Sequence, residues 1–285
     1  MFQDTGITRE DLAPGPSLSA HRDVAAVRRR HQGLAYEKPF QAIQQILKTS
    51  IKRKYLEFMS SLSDAVAASG FASRVIHDSQ LADLLGGSNA RRYGLVNRAL
   101  ADRSLIRLRR GAYVLAEAMR SGDLHPFSIA QGLLPGSYVS FESALSRHGW
   151  IPEAVFMTSS VVPTRKTIEI PTAQFGTFTF HPLAINRYQF LTGIDRAAAG
   201  GSIAFVARPL RALMDIVALR KIEWPGLGWV TDGMRIGEEN LSRLSRADFD
   251  RLRPVYKHKA ANAFLKEMEA AVMDLKRDRC TGSKP

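Results

Sequence analysis

The run from Asp78 to Leu115, DSQLADLLGGSNARRYGLVNRALADRSLIRLRRGAYVL, constrains this chain more than any other stretch. Leu81, Leu84 and Leu85 recur at helical spacing, and Asp78 or Ser79 is placed to cap that helix. Gly86-Gly87 stops it, because glycine enters a left-handed turn at little steric cost. Ser88 or Asn89 then caps a second helix that reaches about Arg103, with Val96, Ala99 and Leu100 on its inner side. From there the period changes to two. Leu105 to Arg109 reads as a strand with Arg107 and Arg109 on one face and Ile106 and Leu108 on the other. Gly111 turns the chain and Ala112 to Leu115 returns.

Two short helices and a tight turn, followed by a basic hairpin, make a winged helix-turn-helix, a module that places its second helix in the DNA major groove. Arg91, Arg92, Asn97 and Arg98 are expected to face outward on that helix, with Ser88, Asn89 and Tyr93 beside them. Arginine reads guanine through two hydrogen bonds, asparagine can read adenine, and both also hold phosphates. Arg107, Arg109 and Arg110 would grip the flanking backbone. The same scaffold used only for protein contacts is the blander reading, and the density of arginine argues against it.

Composition points the same way. Across 285 residues, 45% of them hydrophobic, the formal net charge is +13, which suggests a polyanionic partner. The length suits two compact domains plus tails. The single cysteine, Cys280, supports neither a disulfide framework nor a cysteine metal site. There is no secretory leader and no apolar run long enough to span a bilayer, so a cytoplasmic protein with no membrane partner is expected.

The expected class is α+β: an N-terminal winged helix-turn-helix, then a C-terminal α+β domain with a small antiparallel sheet and flanking helices. Residues 1–38 read as a poorly ordered basic extension containing Arg28, Arg29, Arg30 and His31. Residues 39–116 are the DNA-binding domain, beginning with helical periodicity at Ile43, Ile46 and Leu47 and again at Leu56, Met59, Leu62 and Val66. After a polar linker, 126–275 form the second domain, and 276–285 a charged tail. Within the second domain the pattern predicts a helix over Pro126–Leu133 and a second, FESALSRHGW, capped by Ser140. Extended segments follow at 155–162, 167–170, 176–181 and 202–206, the third with Phe178 and Phe180 at period two. A helix is expected over Arg208–Arg220, a loop over 221–236, and helical pattern over 238–275.

No catalytic constellation is legible: no phosphate loop, no Gly-x-Ser-x-Gly elbow, no His-Glu-x-x-His. The chain is expected not to be an enzyme and to need no cofactor or metal. His148 reads as a residue suited to a helix end, and His181 lacks ligand spacing. Ser140 reads as a cap and Ser143 as a small packing residue rather than a nucleophile. Asp215, on an apolar helix, needs a partner, and Arg211 one turn back supplies an ion pair. Glu142, Glu153 and Glu169 are too scattered for a metal nuclease. Arg165-Lys166 is the most suggestive polar pair of the second domain, either a DNA or partner contact or a solvated turn.

The order of several runs resembles the abortive-infection E antitoxins (AbiEi family), the regulatory half of type IV toxin–antitoxin pairs in phage defence. These runs are the wing LIRLRRGAYVL; YVSFESAL at Tyr138–Leu145 with His148-Gly149 and Ile151-Pro152-Glu153; the Thr158 strand; Thr164-Arg165-Lys166; Phe175-Gly176-Thr177-Phe178; and ARPLRALMD, whose Pro209, Arg211, Ala212, Leu213 and Asp215 match the family pattern. The resemblance covers about Val75 to Val217 and does not explain the N-terminal extension. It implies an antitoxin that binds inverted repeats in its own promoter, as a dimer or a cooperative pair, and represses its operon. Its C-terminal domain would neutralise a nucleotidyltransferase-like toxin, directly or indirectly, with Arg165 and Lys166 as candidates. The alternatives are a winged-helix regulator of another operon with a ligand-sensing second domain, and a DNA-targeted defence nuclease.

Overall fold

The computed structural model describes residues 62–281, apart from residue 154. They all lie in one compact unit, Met59–Pro285. The basic extension and the helical pattern before Leu62 lie outside the described residues.

The described chain is mixed α+β, with one three-stranded antiparallel sheet and one six-stranded mixed sheet. It opens on α1 (Leu62–Ala67), β1 (Ile76–His77), α2 (Asp78–Leu85), α3 (Asn89–Ala101), β2 (Leu105–Arg109) and β3 (Ala112–Leu115). The small sheet runs β1-β3-β2. Leu62, Val66, Ile76, Leu81, Leu95, Val96, Ala99, Leu105, Tyr113 and Leu115 form one buried cluster beneath it. The cap of α2 is neither Asp78 nor Ser79. Pairing of His77 with Ala112 keeps the backbone extended as far as His77, which becomes the cap residue. Its N–H donates to Gln80 Oε1 at 2.8 Å. Asp78 is instead tied to the hairpin, its N–H donating to Gly111 O at 3.1 Å. Gly86 and Gly87 both have positive φ, at 57° and 73°, as the turn requires.

The larger sheet differs from the small antiparallel one expected. After a short turn at Glu117–Met119 come α4 (Pro126–Leu133), β4 (Tyr138–Val139), α5 (Phe141–Arg147), β5 (Thr158–Val162), β6 (Ile168–Thr172), β7 (Gly176–Pro182), β8 (Ile194–Ala199) and β9 (Ser202–Ala207). The sheet order is β6-β7-β5-β4-β9-β8, with β4·β9 and β5·β7 parallel. β7 inserts between β5 and β6, so its neighbours are set by packing and not by chain order. Phe178, Thr179 and Phe180 are all buried, since both faces of that strand are covered. β8, with the sequence IDRAAA, escapes sequence reading because it lacks β-branched residues beyond Ile194 and lies at the edge.

α6 (Pro209–Arg220) lies against α5. Residues 221–236 are more than a loop: Trp229–Gly233 form a π-helical turn, and Trp224 and Trp229 meet Phe264 edge-on at 4.9 and 5.6 Å. α7 (Glu238–Ser242), α8 (Arg246–Leu252) and α9 (Lys259–Thr281) complete the domain. α9 carries helix through 276–281, where a tail was expected.

The core of the larger module contains one fully buried ion pair. Arg211 Nε donates to Asp215 Oδ1 at 2.9 Å, and neither side chain is exposed. Arg211 Nη1 donates to Thr192 O at 2.7 Å and Nη2 to the Tyr138 hydroxyl at 2.6 Å. Asp215 accepts from Ser140 Oγ at 2.7 Å, Tyr256 Oη at 2.7 Å and Tyr138 Oη at 3.0 Å. Ser140 does occupy the cap position of α5, but its hydroxyl is used by Asp215 and makes no capping bond. Burial is the largest influence on Arg211 and opposes its charge, but the Asp215 carboxylate together with the Tyr256 and Tyr138 hydroxyls outweighs it and raises its pKa. Burial, reinforced by Asp215, pushes the hydroxyls of Tyr138 and Tyr256 well above the ordinary tyrosine range. Removing one member leaves an uncompensated buried charge, which costs about 3–5 kcal/mol, whereas an apolar pair of similar volume is often tolerated. Asp215→Asn and Arg211→Met should therefore each lower the urea midpoint sharply, and the double variant Arg211→Met/Asp215→Leu should lose less than the sum of the two. Additive losses would contradict a coupled network.

The two modules meet at the last turn of α4. His77 Nε2 bonds Gly132 O at 2.7 Å, and Arg109 Nη2 donates to Leu133 O at 3.0 Å. Both satisfy carbonyls that a helix end leaves open. At the other end of α4, His125 Nδ1 accepts the Phe127 N–H at 3.1 Å, which requires a neutral ring. Burial, then the charge of Arg147, lowers the His125 pKa below the usual 6.5. Burial lowers His181 likewise, against the pull of Glu142. The unfolded histidines therefore take up protons at higher pH than the folded ones. Stability is full above about pH 6.5 and falls as pH drops through that value. Urea unfolding at about pH 7.5 and pH 5.5 should show this loss, and His125→Asn, which keeps an acceptor, should make it shallower. An unchanged slope would remove His125 from the account.

Candidate nucleic-acid interface

α3 turns one side to the core and leaves the other open. Ser88 holds extended backbone at its start, and its Oγ accepts the Arg91 N–H at 3.3 Å. Leu95, Val96 and Ala99 are buried. Asn89, Ala90, Tyr93, Gly94, Asn97 and Arg98 are exposed. At 1.5 Å rise per residue the helix is about 20 Å long, enough to lie along a major groove.

Gly94 was not singled out from sequence. It sits inside the helix, exposed, with no atom within 4 Å of where a Cβ would be. An interior helical glycine costs about 1 kcal/mol relative to alanine. Beside Ala90 it forms a smooth strip where another molecule can approach the backbone closely. The sequence signal was a glycine flanked by arginines within an otherwise regular helical period.

Arg91 and Arg92 do not face outward as expected. Both are half-buried at the border of the packed side. Arg91 Nη1 folds back to Leu85 O at 3.4 Å, satisfying the end of α2. Arg92 Nη2 donates to Asn89 Oδ1 at 2.9 Å, its guanidinium lies 5.8 Å from the centre of the Tyr93 ring, and its Nε is buried without a partner. The more open polar groups are thus Asn97 and Arg98, whose Nε alone is engaged, on Gly94 O of its own helix at 3.4 Å, with Tyr93, which is 55% exposed, at their side.

The hairpin departs from simple alternation as well. Its register shifts between Arg107 and Arg109, so Leu105 and Leu108 are buried, Ile106 is half-buried, and both arginines are exposed. A bulge adds one residue to a strand and re-aims the side chains after it. Arg109 is thereby turned toward Leu133 O on α4, where it joins the modules instead of gripping DNA. Arg107 and Arg110 stay exposed, and Arg110 adjoins Gly111, whose φ of 76° makes the turn. Between residues 91 and 110 there are arginines at 91, 92, 98, 103, 107, 109 and 110 and a single acid, Asp102. Arg165 and Lys166 lie on the exposed turn between β5 and β6, on a separate element from α3.

The residues weighed for chemistry are bound into structure. Glu142 pairs with Arg220, and Glu153 with Arg235 at 2.9 Å. Ser143 Oγ donates to Met157 O and accepts from Ser159 N–H, at 2.8 and 2.9 Å. His148 Nε2 bonds Ala207 O at 3.0 Å. Among the described residues no group of His, Cys, Asp and Glu could hold a metal ion, and no helix is long and apolar enough to cross a membrane.

No protein-family model matches the sequence, and no curated protein matches it.

Because Ser88 is the cap that orders the first turn of α3, Ser88→Ala should destabilise the protein by about 1 kcal/mol. Hydrogen exchange should quicken at the start of α3 first. An unchanged exchange pattern there would mean that packing alone sets the helix start.

Proposed function

We propose that Leu62–Leu115 is a winged helix-turn-helix that binds double-stranded DNA, with α3 in the major groove and the β2–β3 hairpin against the backbone. The observation that carries this reading is the outer face of α3. It presents the Asn97 amide without a hydrogen-bond partner among the described residues, the terminal nitrogens of Arg98 open beyond its Nε bond to Gly94 O, Tyr93 beside them, and no side-chain bulk at Gly94. Asn97 and Arg98 carry base recognition, Ser88 and Asn89 meet phosphate at the helix start, and Arg107 and Arg110 hold the flanking backbone. Arg91 and Arg92 brace the helix and contribute charge.

The fuller role follows from the resemblance to AbiEi antitoxins: a promoter-binding repressor of its own operon whose larger domain neutralises a nucleotidyltransferase-like toxin. Tyr138 and Ser140 from one run of that resemblance meet Arg211 and Asp215 from the other in the buried network. These matched residues support the scaffold of the larger domain. A toxin contact would fall on exposed groups, with Arg165 and Lys166 as candidates.

The full-length protein should shift a fragment of its own upstream region, with affinity falling steeply as salt rises. Asn97→Ala and Arg98→Ala should each lose about 1–3 kcal/mol of discrimination between that fragment and random DNA. Arg110→Ala should weaken both alike. Gly94→Leu should raise thermal stability while abolishing specific binding. If Gly94→Leu and Arg98→Ala both still discriminate, α3 is not the reading helix.

A further inference from the structure

We propose that the groove between the helix–hairpin module and the edge of the large sheet binds a nucleoside phosphate. The groove encloses about 840 Å³, within the usual size for small-molecule sites at the junction of two packed units. Phe71, Arg74 and Gln80 line it from one side, and Arg196, Ser202 and Phe205 from the other.

Its charged groups are distinctive for what they lack. Elsewhere near this junction arginines are tied down: Arg109 to Leu133 O, Arg120 to Leu115 O, Arg147 to Ala198 O. Arg74 and Arg196 are exposed, and neither guanidinium makes a hydrogen bond or ion pair among the described residues. The hydroxyl of Ser202 is buried with no partner. Such an orphan is costly unless something supplies its bond. Between these polar groups stand apolar surfaces, the half-buried Phe71 and Phe205 and the exposed Ile203.

Two glycines of the lining pack directly against neighbouring protein groups. Gly132 approaches Val75 so closely that a Cβ would lie 2.6 Å from it, and Gly200 packs on the Asp123 carbonyl with a φ of 61°. A ligand must therefore present an anion to two guanidiniums and a flat ring to aromatic walls. Inorganic phosphate offers the first alone and a nucleoside the second alone. A nucleoside phosphate offers both, with sugar hydroxyls or base edges for Ser202 and Gln80.

Isothermal titration and thermal melts of the full-length protein, without DNA, test this with AMP, GMP, CMP and UMP, and with adenosine and inorganic phosphate as separate arms. The expected result is that at least one nucleotide binds with a Kd below about 1 mM, raises Tm, and binds about tenfold tighter than phosphate or nucleoside alone. Arg74→Ala and Arg196→Ala should each weaken it about tenfold, and Arg187→Ala, on the turn before β8, should not. Ser202→Ala should weaken it while leaving the Tm of the free protein unchanged or higher. The proposal is overturned if no nucleotide exceeds phosphate alone, or if binding survives both arginine variants. With no DNA present, that failure is separate from any failure of the DNA-binding reading.

Discussion

The larger module depends on one buried charge pair. Arg211 and Asp215 lie a single helical turn apart on α6, and their remaining hydrogen-bonding capacity is met by groups from four other places in the chain. Tyr138 comes from β4, Ser140 from the start of α5, Thr192 from the segment before β8, and Tyr256 from the loop before α9. A charge pair in a dry core is tolerated only when such partners are in place. The pair therefore specifies which elements surround α6, whatever its net contribution to stability. Phe141 follows Ser140 with a φ of 56°, a conformation that a bulky residue adopts only when its surroundings impose it. The need to aim Ser140 at Asp215 while burying the Phe141 ring is such a constraint.

The second organising contact is the end of α4. His77 and Arg109 come from the small sheet, yet both use their side chains on carbonyls of the neighbouring module. Val75, Leu108, Ala112 and Val114 likewise join the core cluster of the larger module, although their strands or loops belong to the smaller one. The hairpin is thus held from behind by apolar packing and hydrogen bonds. Its exposed arginines, Arg107 and Arg110, project from a braced element, which lowers the entropy lost when they engage a partner.

Local pattern was legible where a single period or turn dominates. The Gly86-Gly87 turn, the Ser88 cap, the hairpin at Gly111 and the Arg211–Asp215 pair each follow from residues within a few positions of one another. The outward set on α3 was legible only in part. Helical spacing placed Asn97 and Arg98 correctly, but Arg91 and Arg92 lie at the edge of the packed stripe, where a long side chain can turn either way. The Leu85 carbonyl and the Asn89 amide decide that direction, and neither is visible as a spacing. Arg109 departs for a similar reason: a bulge re-aims it, and a bulge depends on the partner strand.

By itself, the sequence determined the kind and order of most elements, though not β1, β8 or the turn at Trp229–Gly233, and the sign of the charge, because these depend on neighbours along the chain and on composition. Within Asp78–Leu115 that was enough to lay out two helices and a basic hairpin. Only the tertiary structure decided the six-stranded mixed sheet, the edge strand β8, and the use of Ser140 as a partner for Asp215 instead of a helix cap. Each of these is set by groups distant in sequence competing for the same hydrogen bond or buried face. It is also the tertiary structure that separates the arginines of the opening stretch. Arg91 and Arg109 satisfy carbonyls of neighbouring elements, and those that reach no other element stay open to a partner.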